Sequence, residues 1–376
     1  MKHVAEAPWR KGKLKMTDRD GQEKVRLAAV GLGRWGRVMA AAYHESDVVD
    51  LRSCFSRDPV RRGAFASDFG CEEAQSLDEL LARDDIEGLV LTVPNDQHAP
   101  IIEAAAQAGK HVYVEKPVAV EPADVRRIQE AVAATGIVFA CGHSARRLAG
   151  VREMRRSLDS GEIGTPSMIE AVFSNERGLE LKEGDWRGDP AQCPGGPLTQ
   201  LGIHQIDNMN YLFGVPSRVM GVGKRGATAV ANTMVVAALL EFDDVIGYLG
   251  ADWLTPGAFT LDLSCTKARL RYELDFSWWS NSADTDAHTR LIKTEIGSDS
   301  ADPDGRVLSE HAVKLTPRDH LREEIDEFAM AIRGKAAVEV GIDVAVSNVA
   351  VVLAVARAIN EQRGVDVAEV LEELRV

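Results

Sequence analysis

The sequence is poor in the features that mark specialised classes. Five cysteines stand in 376 residues, far apart and without a Cys-x-x-Cys pair. That excludes a disulfide framework and a paired-thiol zinc knuckle. Cys54, Cys71, Cys141, Cys193 and Cys265 read as free thiols of a reducing compartment, which implies a cytoplasmic protein. No uninterrupted apolar run reaches the ~18 residues of a bilayer span. Positive charge is in deficit, with 44 Lys and Arg against 58 Asp and Glu, for a net charge of −14. Neither nucleic acid nor an anionic membrane is then an expected partner, since both need a basic surface. Metal-ligand spacing is missing too: His143 and His288 stand alone. No internal repeat is visible.

What is present describes an ordinary soluble enzyme. Hydrophobic residues make up 45% and charged residues 27%. The length exceeds one typical core, so two domains are expected. Residues 1–23 are basic and polar, lack the apolar stretch of a secretory signal, and read as a flexible tail. Met16 is a candidate native start. From 24 to 143, short apolar runs alternate with helical segments: 25–31, 48–55, 88–94, 111–117 and 136–142 as strands; 36–46, 59–69, 99–109 and 122–135 as helices. Ser76 and Glu79 form a capping-box pattern before another short helix. Alternation of this kind predicts an α/β domain with a doubly wound parallel sheet covered on both faces. Beyond 143 the texture changes. Runs at 167–174, 219–227, 233–242, 245–253, 259–265 and 268–276 follow one another with tight connections, Asp243-Asp244 and Thr266-Lys267 among them. They predict a C-terminal α+β domain, 144–376, built on a large, open, mostly antiparallel sheet. Residues 280–306 read as a polar loop or flap. Thr316 to Asp319 cap a helix carrying Leu321, Ile325, Phe328 and Ile332, and a second apolar helix spans about 342–362.

The stretch GLGRWG places Gly31, Gly33 and Gly36 directly after the first strand and at the start of the first helix. The pattern alone is weak, but its strand–turn–helix context is that of a Rossmann dinucleotide site. Gly31 permits the turn, Gly33 admits a pyrophosphate, and Gly36 lets the helix pack on the sheet, with helix N–H groups facing the phosphates. NAD sites place an acid at the end of the second strand. Here Ser56 and Arg57 stand there, a hydroxyl and a guanidinium suited to a 2′-phosphate, which favours NADP. The alternative is that Arg57 stacks on adenine, Asp58 caps the next helix, and NAD is used. Ligands of such sheets lie at the carboxyl ends of the strands. Two of these ends are polar, TVPNDQH (92–98) and EKP (115–117). Arg34 and Trp35 in the glycine turn, with Thr92, Asn95, His98, Glu115 and Lys116, complete the expected cofactor-binding set.

Downstream, GGPLTQLGIHQIDNMNYLFG (195–214) reads as an apolar helix with a polar stripe of Gln200, His204, Asp207 and Asn208 at i, i+4, i+7 and i+8. In order, GLGRWG, TVPNDQH, EKP, GEIG (161–164) and DWRGDP…GGPLTQLGIHQID (185–207) resemble the Gfo/Idh/MocA family of nicotinamide-dependent oxidoreductases. The resemblance covers about 24–275 well and the helices from 316 adequately. It implies a Rossmann domain plus a larger sheet domain, and a dehydrogenase or reductase acting on a secondary hydroxyl or carbonyl of a sugar, cyclitol or related polyol. The family's lysine falls on Lys116 and its histidine on His204. His204 is then the general base, at the ordinary imidazole pKa near 6.5, and Lys116 stabilises the developing alkoxide and shares the proton. Many members carry Asp four residues before the histidine, where this chain has Gln200, so a cyclitol substrate does not follow. Trp186, Arg187, Gln200, His204 and Asp207 are the expected substrate-binding residues. Arg146 and Arg147 read equally as substrate contacts or structural arginines, and Trp278-Trp279 as core or subunit contact. Two other activities remain open through the family: a glycoside hydrolase using transient oxidation by NAD, and a non-catalytic NAD(P)-binding regulator. An open sheet face needs cover, so a homodimer or homotetramer is expected.

Overall fold

The computed structural model describes residues 23–226, 228–297 and 307–376. The expected tail, apart from Glu23, lies outside the described residues, as do 298–306 of the expected loop.

The first domain alternates strand and helix: β1 (Val25–Val30), α1 (Arg34–His44), β2 (Val49–Phe55), α2 (Pro59–Phe69), β3 (Glu72–Glu73), α3 (Leu77–Leu81), β4 (Gly88–Leu91), α4 (His98–Gln107), β5 (His111–Glu115), α5 (Pro122–Thr135) and β6 (Phe139–Gly142). All six strands pair in parallel in the order β3-β2-β1-β4-β5-β6. The order reverses between β1 and β4, which opens a crevice at that point. The register aligns the strand ends there. Val30 lies opposite both Phe55 and Leu91, and Leu91 opposite Val114. Gly31, Ser56, Thr92 and Glu115 therefore leave the sheet along one edge. Local chemistry fixes the helix starts. Asp58 accepts from the Val60 and Arg61 N–H groups at 3.0 and 3.2 Å, with Pro59 as first helical residue. Ser76 accepts from Glu79 N–H, and the Glu79 carboxylate accepts in return from Gln75 N–H, one residue further back than the usual box.

The second domain begins with α6 (Ala149–Asp159), a helix that a strand-only reading of this region overlooks. It continues with β7 (Pro166–Ser174), α7 (Ile203–Phe213), β8 (Arg218–Lys224), β9 (Val235–Glu241), β10 (Ile246–Asp252), β11 (Ala258–Cys265), β12 (Ala268–Leu274), β13 (Thr289–Gly297) and β14 (Val307–Ala312). Then come α8 (His320–Ile332), α9 (Ile342–Glu361), β15 (Val365–Asp366) and α10 (Val367–Leu374). Nine strands form one sheet, β14-β13-β12-β11-β7-β10-β9-β8-β15, antiparallel throughout except between β7 and β10. The stretch read as a loop from 280 instead holds a 3-10 turn at Thr285–His288 and the strand β13. Its polar composition is that of a mostly half-buried strand, with Leu291 alone turned fully into the core.

One face of this sheet is covered by α7 and α9, which bury Ile203, Ile206, Met209, Val351 and Val355. The other exposes Met168, Met220, Val222, Leu239 and Ile246, brought side by side by the register. Helix α9 has the length and hydropathy of a membrane span, but its apolar residues fill the core between β8, α7 and α10. Helix α8, assigned from sequence to the second domain, packs on the first. Leu321, Ile325 and Phe328 join Leu27, Met39 and Tyr43 in one core, and Glu324 accepts a 2.7 Å bond from the Tyr113 hydroxyl.

Candidate active site

A cavity of about 1020 Å³ runs from the crevice of the first sheet to the concave end of the second domain. One half is built by the strand ends. Gly31, Gly33, Arg34, Trp35, Ser56, Arg57, Thr92, Asn95, Glu115 and Lys116 all line it. The three glycines differ in what they permit. Gly31 has φ +91°, and a Cβ there would lie 2.7 Å from the Thr92 carbonyl carbon. A Cβ on Gly36 would lie 2.2 Å from the Gly31 carbonyl oxygen, so this glycine supports the turn from beneath. A Cβ on Gly33 would meet no protein atom within 4 Å and would project into open space. Gly33 also begins α1 with no side-chain cap, which leaves the first N–H groups of the helix for an outside acceptor. A crevice that only glycine keeps open, beside an uncapped helix start, fits a dinucleotide phosphate.

His98 departs from the expected cofactor set. It is fully buried, with Nδ1 3.1 Å from the Pro117 and Val118 carbonyls and Nε2 3.1 Å from the Val93 carbonyl. It ties the segment after β4 to the segment after β5, and so positions Asn95 and Lys116 without facing the cavity.

The other half of the cavity comes from the second domain. Trp186, Arg187, Gln200 and His204 line it as expected. The helix bearing the last two is not regular. Leu198–Gly202 winds as one π-turn, with Ile203 N–H reaching back to the Leu198 carbonyl, before α7 continues as ordinary α-helix. Such turns often occur at functional sites. Here the Gln200 carbonyl accepts a 3.0 Å hydrogen bond from Lys116 Nζ, which joins the two domains across the site.

Asp207 lies one turn deeper than the cavity. Its carboxylate takes both arms of Arg146 at 2.9 and 2.6 Å and a 2.5 Å bond from the Asn348 amide, with His143 Nδ1 at 3.5 Å. Asn208 donates to Gln205 inside the core. The polar stripe is thus divided: Gln200 and His204 face the cavity, Asp207 and Asn208 the interior. Arg146 is structural, and Arg147 pairs with Glu327 at 2.8 Å. Trp279 is buried with its ring 5.3 Å from that of His204, while Trp278 stacks on His288 at 3.6 Å. Asn175 and Arg177 after β7, Trp253 after β10, and Phe276, Ser277 and Ser280 also line the cavity. The sequence reading missed them, although the strand-end rule applied to 92–98 and 115–117 points equally to the FSNERG that closes β7.

Burial dominates the electrostatics. It drives the Lys116 ammonium down to about 8, against the pull of Glu115 and with further push from Arg187 and Arg177. Burial also drives His204 well below 6.5, aided by Lys116, His143 and His320, so the imidazole is neutral at physiological pH. That departs from the ordinary value assumed from sequence. His204 Nδ1 is buried with no hydrogen-bond partner among the described residues. Burial raises the Glu115 carboxyl, although Trp35 and Lys116 favour its charged form.

Comparison with known proteins agrees with this architecture. Residues 25–143 match the NAD-binding Rossmann-fold model of the GFO/IDH/MocA oxidoreductase family, and 151–271 match that family's C-terminal domain. A crystal structure from Desulfitobacterium hafniense, assigned as an NADPH-dependent oxidoreductase, is 48% identical, with a TM-score of 0.89 over 93% of this chain and 99% of that one. A dTDP-3,4-didehydro-2,6-dideoxy-alpha-D-glucose 3-reductase from Streptomyces violaceoruber is 28% identical over 58% of this chain and 64% of its own. Inositol 2-dehydrogenase from Rhizobium meliloti is 28% identical over 50% and 55%. The chain spans little more than half the length of such curated relatives. Two matched domains, a full-length structural relative at this identity, and a lysine and histidine at the two walls of one cavity agree: the chain belongs to the Gfo/Idh/MocA family of oxidoreductases.

Proposed function

We propose that this protein is an NADP-dependent oxidoreductase that interconverts a secondary alcohol and a ketone on a sugar-like polyol. The observation that carries the reading is the meeting of Lys116 with Gln200 and His204 in a cavity continuous with the glycine turn. The nicotinamide, when bound, supplies the hydride acceptor or donor. Lys116 takes the hydroxyl proton in oxidation and returns it in reduction, because an amine titrating near 8 is matched to that task. His204, neutral and facing the cavity, accepts from or donates to the reacting oxygen and orients it. Gln200 offers a neutral amide to a second hydroxyl. The order of proton-transfer duties thus reverses that expected from sequence, with Lys116 as the titrating group.

Three features support NADP over NAD. Ser56, Arg57 and Arg61 line the adenosine end of the cavity. Asp58, the acid beside them, does cap α2 as the NAD alternative expected, but its carboxylate is thereby taken up by the Val60 and Arg61 N–H groups rather than left for a ribose hydroxyl. The Desulfitobacterium relative is assigned to NADPH. The exposed apolar face formed by Met168, Met220, Val222, Leu239 and Ile246 supports a homo-oligomer. The test is a panel of sugars, cyclitols and their keto forms with each cofactor, followed by absorbance of the reduced nicotinamide. Turnover with NADP that drops in Lys116→Met and His204→Ala is expected. Normal turnover in both folded variants refutes the assignment.

A further inference from the structure

The substrate end of the cavity is cationic in a chain that is strongly acidic overall. Lys116, Arg177 and Arg187 line it, and Glu115 is the one carboxyl among the lining residues there; Asp58 belongs to the far, adenosine end. Among the described residues neither Arg177 nor Arg187 has a carboxylate within salt-bridge distance; for the exposed Arg177 that is ordinary, but Arg187 is half-buried, and the buried or half-buried arginines Arg62, Arg146, Arg147 and Arg152 pair with Glu73, Asp207, Glu327 and Glu339. The Arg187 guanidinium lies 4.3 Å over the Trp186 ring, and its Nε is buried without a hydrogen-bond partner among the described residues. Burial and the neighbouring Arg177 both disfavour the charge of Arg187, with only weak relief from Cys193 and Asp185. Both arginines also push against Lys116. Converging cations in a partly desolvated cavity are unfavourable unless something neutralises them. They come from segments of the second domain, after β7 and in the turn Trp186–Gly188, not from the glycine turn that suits a cofactor phosphate.

We infer that the substrate carries an anionic oxygen group, a carboxylate or a phosphate monoester, which Arg177 and Arg187 grip while Lys116, Gln200 and His204 face the carbon that reacts. The inference rests on the oxidoreductase reading above. A guanidinium suits such groups because its planar donors match two oxygens at once. The grip fixes which hydroxyl of a polyol meets His204, so it selects position as well as charge.

The test uses the cofactor-loaded full chain and matched probes: glucose, glucuronate and glucose phosphate; inositol and inositol monophosphate. A charged probe is expected to exceed its neutral parent at least tenfold in kcat/KM, and the better of the two anions names the group. Arg177→Met and Arg187→Met should each raise KM for that anion by roughly ten- to a hundredfold, the size of a lost charge-assisted bond. They should change kcat less and leave the NADPH dissociation constant unmoved. Arg187→Lys should recover part of the loss. Arg177 is exposed, so its variant stays informative if Arg187→Met folds poorly. Neutral parents preferred over both anions, or an anion KM unmoved in both variants, overturns the proposal. Calorimetric titration with glucuronate and glucose phosphate separates it from the parent reading. Binding that both arginine variants abolish, without hydride transfer to any probe, supports the anion site and refutes the polyol chemistry. No anion binding to the wild type refutes the anion site.

Discussion

The pH dependence of turnover distinguishes the two candidate proton carriers. Burial brings Lys116 from 10.5 to about 8 and leaves His204 well below 6.5. The sign follows from charge. Desolvation penalises the ammonium, so the neutral amine becomes accessible at lower pH. At pH 7 an ordinary lysine is roughly 0.03% deprotonated, and one titrating at about 8 is roughly 10%, a gain of about 300-fold in competent base. Oxidation, which needs the amine, should rise about tenfold per pH unit up to about 8 and then level off. Reduction, which needs the ammonium, should fall above the same point. His204, already neutral, should add no step between pH 6 and 9. The assay is initial-rate kcat/KM in both directions from pH 6 to 10 at saturating cofactor. Lys116→Arg sharpens it: arginine keeps the charge but does not give up its proton in this range, so the step near 8 should vanish and activity fall by roughly 10²–10⁴-fold. A wild-type step centred near 6.5, retained in Lys116→Arg, would return the base to His204 and refute the reasoning.

Asp207→Asn should act on stability, because it breaks a fully buried pair with Arg146; a loss of about 3–5 kcal/mol in denaturant unfolding is expected. Burial raises the Asp207 carboxyl, but Arg146, His143 and Asn348 outweigh it and hold it below the usual range. The contribution is therefore complete above about pH 4 and fades as pH falls through the depressed value. A higher KM at unchanged stability would instead place Asp207 at the substrate. Gly33→Ala should weaken NADPH binding at unchanged melting temperature, whereas Gly36→Ala should lower both, since its Cβ meets the Gly31 carbonyl at 2.2 Å; equal melting losses would contradict this contrast. Ser56→Asp should move preference toward NAD by repelling a 2′-phosphate, and a wild type that already favours NAD tenfold would reverse the cofactor assignment.

The elements legible in the sequence are those whose cause is local. Strand alternation, the glycine turn, the Asp58 and Asp319 caps and the Lys116 strand end each depend on a few neighbouring residues, and each lies where the pattern places it. Features set by distant contacts were hidden. The stripe of Gln200, His204, Asp207 and Asn208 assumes one regular helix, and neither the π-turn at Leu198–Gly202 nor the claim of Arg146 on Asp207 follows from spacing. The Arg146 pairing joins residues 61 apart, and that of His98 with the Val118 carbonyl residues 20 apart. Nor does an ordinary side-chain pKa survive the enclosure that two domains make together. Motif reading points to Lys116 and His204, which the fold brings to one cavity, and it assigns the proton to the imidazole at its ordinary value. The proposed transfer of that duty to Lys116 rests on burial, which lowers both groups: the imidazole falls below the working range, while the amine, starting some four units higher, falls into it.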